Sequence, residues 1–117
     1  MESFDQTYIN LISNIKCNSN KAKSMPITDD EEKFIKALIA ACNKIHMVSC
    51  LKLERLSNGT FNVWCNCYVA KIKLHGKKTY MQILKGKYGI RTIENCSFNE
   101  YLSNISKWIS YIVYCNK

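Results

Sequence analysis

Asn58-Gly59, set between two runs rich in β-formers, constrains this chain more than any other dipeptide in it. Asn-Gly is the strongest short signal for a tight β-hairpin, because both residues accept the positive φ that a type I′ turn demands. Read as a two-residue loop, it sets Ser57 opposite Thr60, Leu53 opposite Trp64, Leu51 opposite Asn66 and Cys50 opposite Cys67. Gly76-Lys77 supplies a second tight turn, with Gly at the first position as type II′ requires. It pairs Lys73 with Tyr80, Ile72 with Met81 and Lys71 with Gln82.

Because side chains alternate along a strand, the two registers sort the sheet into faces. Leu51, Leu53, Trp64, Tyr68, Ala70, Ile72, Leu74, Met81 and Ile83 collect on the apolar face. Lys52, Glu54, Lys71, Lys73, Tyr80 and Gln82 collect on the other, with Val63, Val69, Cys50, Cys65 and Cys67 nearer the first hairpin. Lys85-Gly86-Lys87 reads as a third turn, leading into a strand from Tyr88 to about Glu94.

Helices flank these strands. Ser3 with Gln6, Thr28 with Glu31 and Ser97 with Glu100 are three capping-box signatures. Each opens a segment with an apolar stripe at helical spacing: Tyr8, Leu11, Ile12 and Ile15; then Phe34, Ile35, Leu38, Ile39, Cys42 and Ile45; then Phe98, Tyr101, Leu102, Ile105, Trp108, Ile109 and Ile112. Residues 17–27 are polar, contain the chain's only Pro and read as a loop. The expected fold is α+β: two N-terminal helices, a four-stranded antiparallel meander and a C-terminal amphipathic helix packed on the sheet. A length of 117 residues suits a single domain, 1–117, with 1–45 as a helical hairpin extension and 46–117 as a basic ββββα unit.

Charge follows that division. Residues 1–45 balance six acids against six bases, while 46–117 hold eleven bases and three acids and so carry the whole +8. Between Glu54 and Glu94 there is no acid at all. Eight bases (Arg55, Lys71, Lys73, Lys77, Lys78, Lys85, Lys87, Arg91) alternate there with Phe61, Trp64, Tyr68, Tyr80 and Tyr88. Lysines track a phosphate backbone and aromatic rings stack on bases, so the pattern suits single-stranded nucleic acid. With only two Arg, bidentate base readout in a major groove is disfavoured. The nucleic-acid-binding candidates are Lys71, Lys73, Lys77, Lys78, Tyr80, Lys85, Lys87 and Arg91. A lysine-rich sheet that merely resists aggregation is the bland counterpart.

Other chemistry is weakly signalled. Cys50, Cys65 and Cys67 share a sheet face in this register, but a Cys-x-Cys on a flat strand is a poor zinc knuckle, and small buried thiols explain them better. Asp29-Asp30-Glu31-Glu32 complements a helix dipole. His46 and His75 have no nucleophile or carboxylate at useful spacing, and four Gly include no phosphate-cradling loop. No metal, cofactor or catalytic residue is expected. Seven Cys without a secretory leader point to a reducing intracellular compartment, cytoplasm or nucleus. No apolar run reaches a membrane-spanning length. Lysine, Asn, Ile and Tyr enrichment suits an AT-rich genome such as that of a virus or phage, in which case the compartment is the host cell's.

The order of four strands followed at once by an amphipathic helix, with Lys87-Tyr88-Gly89-Ile90-Arg91-Thr92, the Ser97 cap and Trp108, resembles the p15 transcriptional coactivator family (positive cofactor four) over residues 48–113. The resemblance implies a curved basic sheet that binds single-stranded DNA and a helix that mediates dimerisation. The expected function is thus a small non-enzymatic protein holding single-stranded nucleic acid on a basic sheet face. The alternative is a virus- or phage-encoded inhibitor, of the anti-CRISPR or other anti-defence kind, that binds a host protein. The expected partners are single-stranded nucleic acid or an anionic protein surface, with a homodimer possible and no membrane.

Overall fold

The computed structural model describes residues 4–17, 19–74, 76–84 and 89–116. In chain order they form α1 (Phe4–Ser13), β1 (Lys16–Cys17), the short α2 (Asn20–Ser24), α3 (Asp29–Lys44) and a 3₁₀ turn (Val48–Cys50). The strands β2 (Leu51–Arg55), β3 (Phe61–Cys65), β4 (Tyr68–Lys73), β5 (Tyr80–Leu84) and β6 (Ile90–Glu94) follow. Helices α4 (Phe98–Ser103) and α5 (Ile105–Cys115) close the chain. The α+β class stands, but a short third helix, α2, joins the two expected at the N-terminal side, and the sheet is six-stranded and mixed, in the order β1-β2-β3-β4-β5-β6.

Two departures make the extra strands. Residues 16–17, at the edge of the expected loop, pair in parallel with Glu54 and Arg55. The long second strand expected after Thr60 is broken at Cys65-Asn66-Cys67. There Asn66 takes φ +63, and Cys65 N–H closes on Cys67 O at 2.9 Å. Asn is among the few residues that tolerate this left-handed conformation. Strands β2 to β6 therefore make a five-stranded antiparallel meander, with β1 added in parallel at one edge.

The second hairpin has the register read from Gly76, with Ile72 opposite Met81 and Lys73 opposite Tyr80. Gly76 itself sits at φ +100. The first hairpin is one residue off: Arg55 faces Phe61, Leu53 faces Val63 and Lys52 faces Trp64. Gly59 N–H bonds Leu56 O at 3.0 Å, and Leu56 N–H bonds Thr60 O at 2.8 Å. The loop is thus three residues, Ser57-Asn58-Gly59, with Gly59 alone at positive φ (+92), the arrangement of a type I turn closed by a glycine bulge. The shift sends Phe61, Val63 and Cys65 to the interior and Trp64 out.

The reason lies in burial. A two-residue loop turns Asn62 and Asn66 inward and Phe61 and Val63 outward, and burying unpaired amides costs more than one extra turn residue. Between β3 and β4 the pairing shifts at Val63/Trp64, so that Val63 faces Ala70 and Trp64 faces Tyr68. Val69 is the extra residue of this bulge, and Val69 and Ala70 are both fully buried.

Among the described residues the helices pack on one face of the sheet. Phe34, Ile35, Leu38, Ile39 and Cys42 of α3 join Leu53, Phe61, Val63 and Ile72 of the sheet, and Ile105, Trp108 and Ile112 of α5, in one core. Trp108 packs edge-to-face on Phe34 at 5.5 Å and donates its indole N–H to Gln82 O at 2.7 Å. The Thr28 capping box is formed. Ser97 caps α4 by accepting from Glu100 N–H, while Ser3, His75, the Lys85-Gly86-Lys87 turn and Tyr88 lie outside the described residues.

One buried ion pair holds α3 to the sheet. Glu31 accepts from Thr28 N–H through Oε1 at 2.9 Å and from Arg55 Nη1 through Oε2 at 2.8 Å. The two side chains are 1% and 2% exposed. The Arg55 guanidinium lies 4.4 Å over the Phe61 ring. Removing one partner strands a charge in the core. Glu31→Ala is therefore expected to lose about 3–5 kcal/mol in urea unfolding, and the double change Glu31→Leu/Arg55→Met to lose far less.

Candidate nucleic-acid interface

The face opposite the helices has three rows of side chains, each crossing the strands. In the first, Lys73 pairs with Tyr80 and Tyr80 with Glu94, while Tyr80 OH and Thr60 Oγ1 lie 3.0 Å apart. In the second, Asn62 sits between Glu54 and Lys71, and Gln82 pairs with Thr92. Asn62 Nδ2 donates to Glu54 Oε1 at 2.8 Å, and Tyr68 OH donates to Asn62 Oδ1 at 3.2 Å. In the third, Lys52, Trp64 and Tyr68 are neighbours, and the two rings meet edge-to-face at 5.0 Å and 67°. Trp64 is 43% exposed.

Three aromatic rings therefore stand among Lys52, Lys71 and Lys73 on one surface. Trp64, placed on the apolar side by the two-residue turn, is returned to the cationic side by the three-residue one, and the bulge at Val69 turns Tyr68 out beside it. Hydrogen bonds to Thr60 and Asn62 anchor the tyrosine hydroxyls, so the rings are held rather than swinging. Burial raises the Tyr68 pKa, with the neighbouring Tyr80 and Glu54 adding to it. The phenol remains a neutral donor at any physiological pH.

The other candidates separate. Lys77 and Lys78 are exposed in the β4–β5 turn beside the first row. Lys85 and Lys87 lie outside the described residues. Arg91 pairs with Ile83 and so has the parity of the helix-covered face, exposed beyond the helices; it does not extend the lysine patch. Arg55, counted in the acid-free stretch, is spent in the core. Sequence reasoning missed Lys16, which β1 brings opposite Glu54. It also sorted Lys52 to the correct face without nominating it. The face is not purely cationic, since Glu54 and Glu94 stand at its two sides.

A groove of about 1100 Å³ runs beside the third row, between α1 and β2, lined by Asn10, Asn14, Lys16, Lys52 and Trp64. Trp64 thus borders both the open face and the groove.

The cysteines do not make the expected trio. The three-residue turn sends Cys65 inward to Cys42 and Cys50, and the bend at Asn66 sends Cys67 toward Cys115. Among the described residues, no group of three or more His, Cys, Asp or Glu is placed to hold a metal. Nor is any helix among them long and apolar enough to cross a membrane.

The arrangement defines a class: a two-layer α+β protein with helices on one face and, on the other, an aromatic-cationic sheet that no described helix covers. No family model matches the chain, and neither does any curated protein sequence or solved structure.

Burial, reinforced by Cys65 and Cys50, pushes the Cys42 thiol up to about 12 from an ordinary 9.0. The folded state then holds a proton that the unfolded chain releases above pH 9, so this group's contribution to stability falls as pH rises from 9 toward 12. Thermal melts are expected to show that loss, and iodoacetamide at neutral pH is expected to leave Cys42 unmodified until the protein is unfolded.

Proposed function

We propose that this chain is a non-enzymatic protein that holds single-stranded nucleic acid across its open sheet face. The observation that carries the reading is the placement of Trp64, Tyr68 and Tyr80 among Lys52, Lys71 and Lys73 on a surface that none of the described helices covers. Stacked bases need flat rings with one accessible side, and the phosphates between them need ammonium groups within reach. Lys71 and Lys73 lie on one strand two residues apart, the spacing at which neighbouring side chains share a face. The lysines act as point charges without the paired donors that read base edges, so the expected binding is tolerant of sequence. This is also the use of a sheet that the resemblance to the p15 coactivator family implies.

The test is fluorescence anisotropy with labelled DNA and RNA oligonucleotides, single- and double-stranded, between about 50 and 300 mM salt. Single strands are expected to bind better than duplex and to quench Trp64. Changing Lys71 and Lys73 together to Ala is expected to lower the slope of log K against log salt by about 1.4, or about 0.7 per lost phosphate contact. Trp64→Ala is expected to weaken binding about 5- to 150-fold with the salt slope unchanged, the worth of one stacked base. Arg91→Ala, on the other side of the sheet, is expected to have little effect. Absence of salt-dependent binding sinks the proposal. Stoichiometric capture of one host protein through the same face would replace it with the inhibitor reading.

A further inference from the structure

The two edges of the sheet differ sharply. At one, β1 is two residues long, and α1 packs beside β2. At the other, β6 runs five residues as Ile90-Arg91-Thr92-Ile93-Glu94, mostly exposed, with Ile90 at 60%. Soluble proteins blunt such an edge with charged side chains, Lys above all, with Pro, a bulge or a covering segment. Strand β6 carries Arg91 and Glu94 but no Lys and no Pro, and its pairing with β5 is unbroken from Ile90 to Glu94.

The hydrogen-bond parity of this edge follows from one bond. Asn95 N–H donates to Thr79 O at 2.9 Å, which makes 79 and 95 a bonded pair. In an antiparallel ladder bonded and non-bonded pairs alternate. The next bonded pairs are Met81 with Ile93 and Ile83 with Arg91. The N–H and C=O groups of Ile90, Thr92 and Glu94 therefore point away from β5, toward the edge on which no described strand pairs.

We infer that β6 is the contact strand of a homodimer, in which two copies pair antiparallel about a two-fold axis through Thr92. In that register Thr92 meets the partner's Thr92 and Ile90 meets the partner's Glu94, so outward-pointing residues face only each other and every pair can exchange both bonds. No like charges oppose: Arg91 faces the partner's Ile93, and the Glu94 stem covers the exposed Ile90 of the other copy. The neighbouring registers are worse. An axis through Glu94 sets that carboxylate against itself, and one through Ile90 pairs Glu94 with residue 86, beyond β6. The outward residues share one parity, so the axis is perpendicular to the sheet and the two open faces lie on the same side. Helix α5 packs over β4 and β5, which sets the helix layers back from the seam.

Such a dimer rests on the backbone of a five-residue edge, a small contact, so it is a weak and concentration-dependent one. Its existence does not depend on the nucleic-acid proposal, and its test uses no nucleic acid. Sedimentation from about 5 to 300 µM is expected to show the mass rising from 13.6 kDa toward twice that value. Hydrogen exchange followed by NMR is expected to show the amides of Ile90, Thr92 and Glu94 slowing with concentration. The Arg91 and Ile93 amides, bonded within the chain, are protected throughout. Thr92→Lys sets like charges together on the axis and is expected to give a monomer with an unchanged circular dichroism spectrum. Ile90→Glu, which sets a carboxylate against the partner's Glu94 at both ends of the seam, is the second variant, should the first misfold. A mass of 13.6 kDa at every concentration overturns the inference. So does self-association that survives either folded variant, or concentration-dependent protection at amides away from β6.

Discussion

Glu31 and Arg55 are the constraint from which the rest of this structure follows. A carboxylate and a guanidinium buried together lose their hydration and regain it only through good geometry. Glu31 spends one oxygen on the helix cap and the other on Arg55, so the start of α3 cannot slide along the sheet without unmaking both bonds. Arg55 also reaches Pro26 O at 3.5 Å, which draws the segment before α3 into the same knot. Its Nε has no partner among the described residues, a residual cost that favourable packing must offset.

The same arginine bears on the register of the first hairpin. For its charge to reach Glu31, Arg55 must point to the helix side, and the flat guanidinium needs an apolar platform beneath it. Phe61 supplies that platform only when it stands directly across the hairpin, as it does with a three-residue turn. Slipping to the two-residue turn sets Arg55 across from Asn62 and exposes Phe61. Once Phe61 is inward, alternation leaves Trp64 no choice but the open face. An ion pair on one side of the sheet thereby helps determine which aromatic rings stand on the other.

Much of the fold was legible because local chemistry and tertiary demand agreed. The Thr28 box, the helical stripes and the Gly76 turn each have a single reading, and Lys73 opposite Tyr80 came with it. Asn58-Gly59 is different. The dipeptide fits two loop lengths, and only the inward preference of Phe61, Val63 and Cys65 over Asn62 and Asn66 separates them. That alternation was present in Phe61-Asn62-Val63-Trp64-Cys65 and points to the longer loop. The bend at Asn66 had no Gly or Pro to announce it, and the Val69 bulge depends on the core it fills. Strand β1 is too short to have a pattern of its own. At the site, Lys71, Lys73 and Tyr80 were legible from one turn. Lys16 was not, since it reaches the sheet edge only through the parallel pairing of β1 with β2.

The net charge of +8 overstates what the open face presents. Arg55 is neutralised in the core, Arg91 belongs to the other side, and Glu54 and Glu94 flank the lysines. Glu54 already accepts from Asn62, which draws part of its charge into the sheet's own network. What remains is a modest positive field around three oriented rings. A field of that strength attracts an anion without fixing it, and at physiological salt it is screened within about 8 Å. On the proposed function the rings would supply the dwell time, and of the three only Trp64 offers a large exposed surface. The hairpin register that turned Trp64 outward is therefore worth more to such a surface than any single lysine on it.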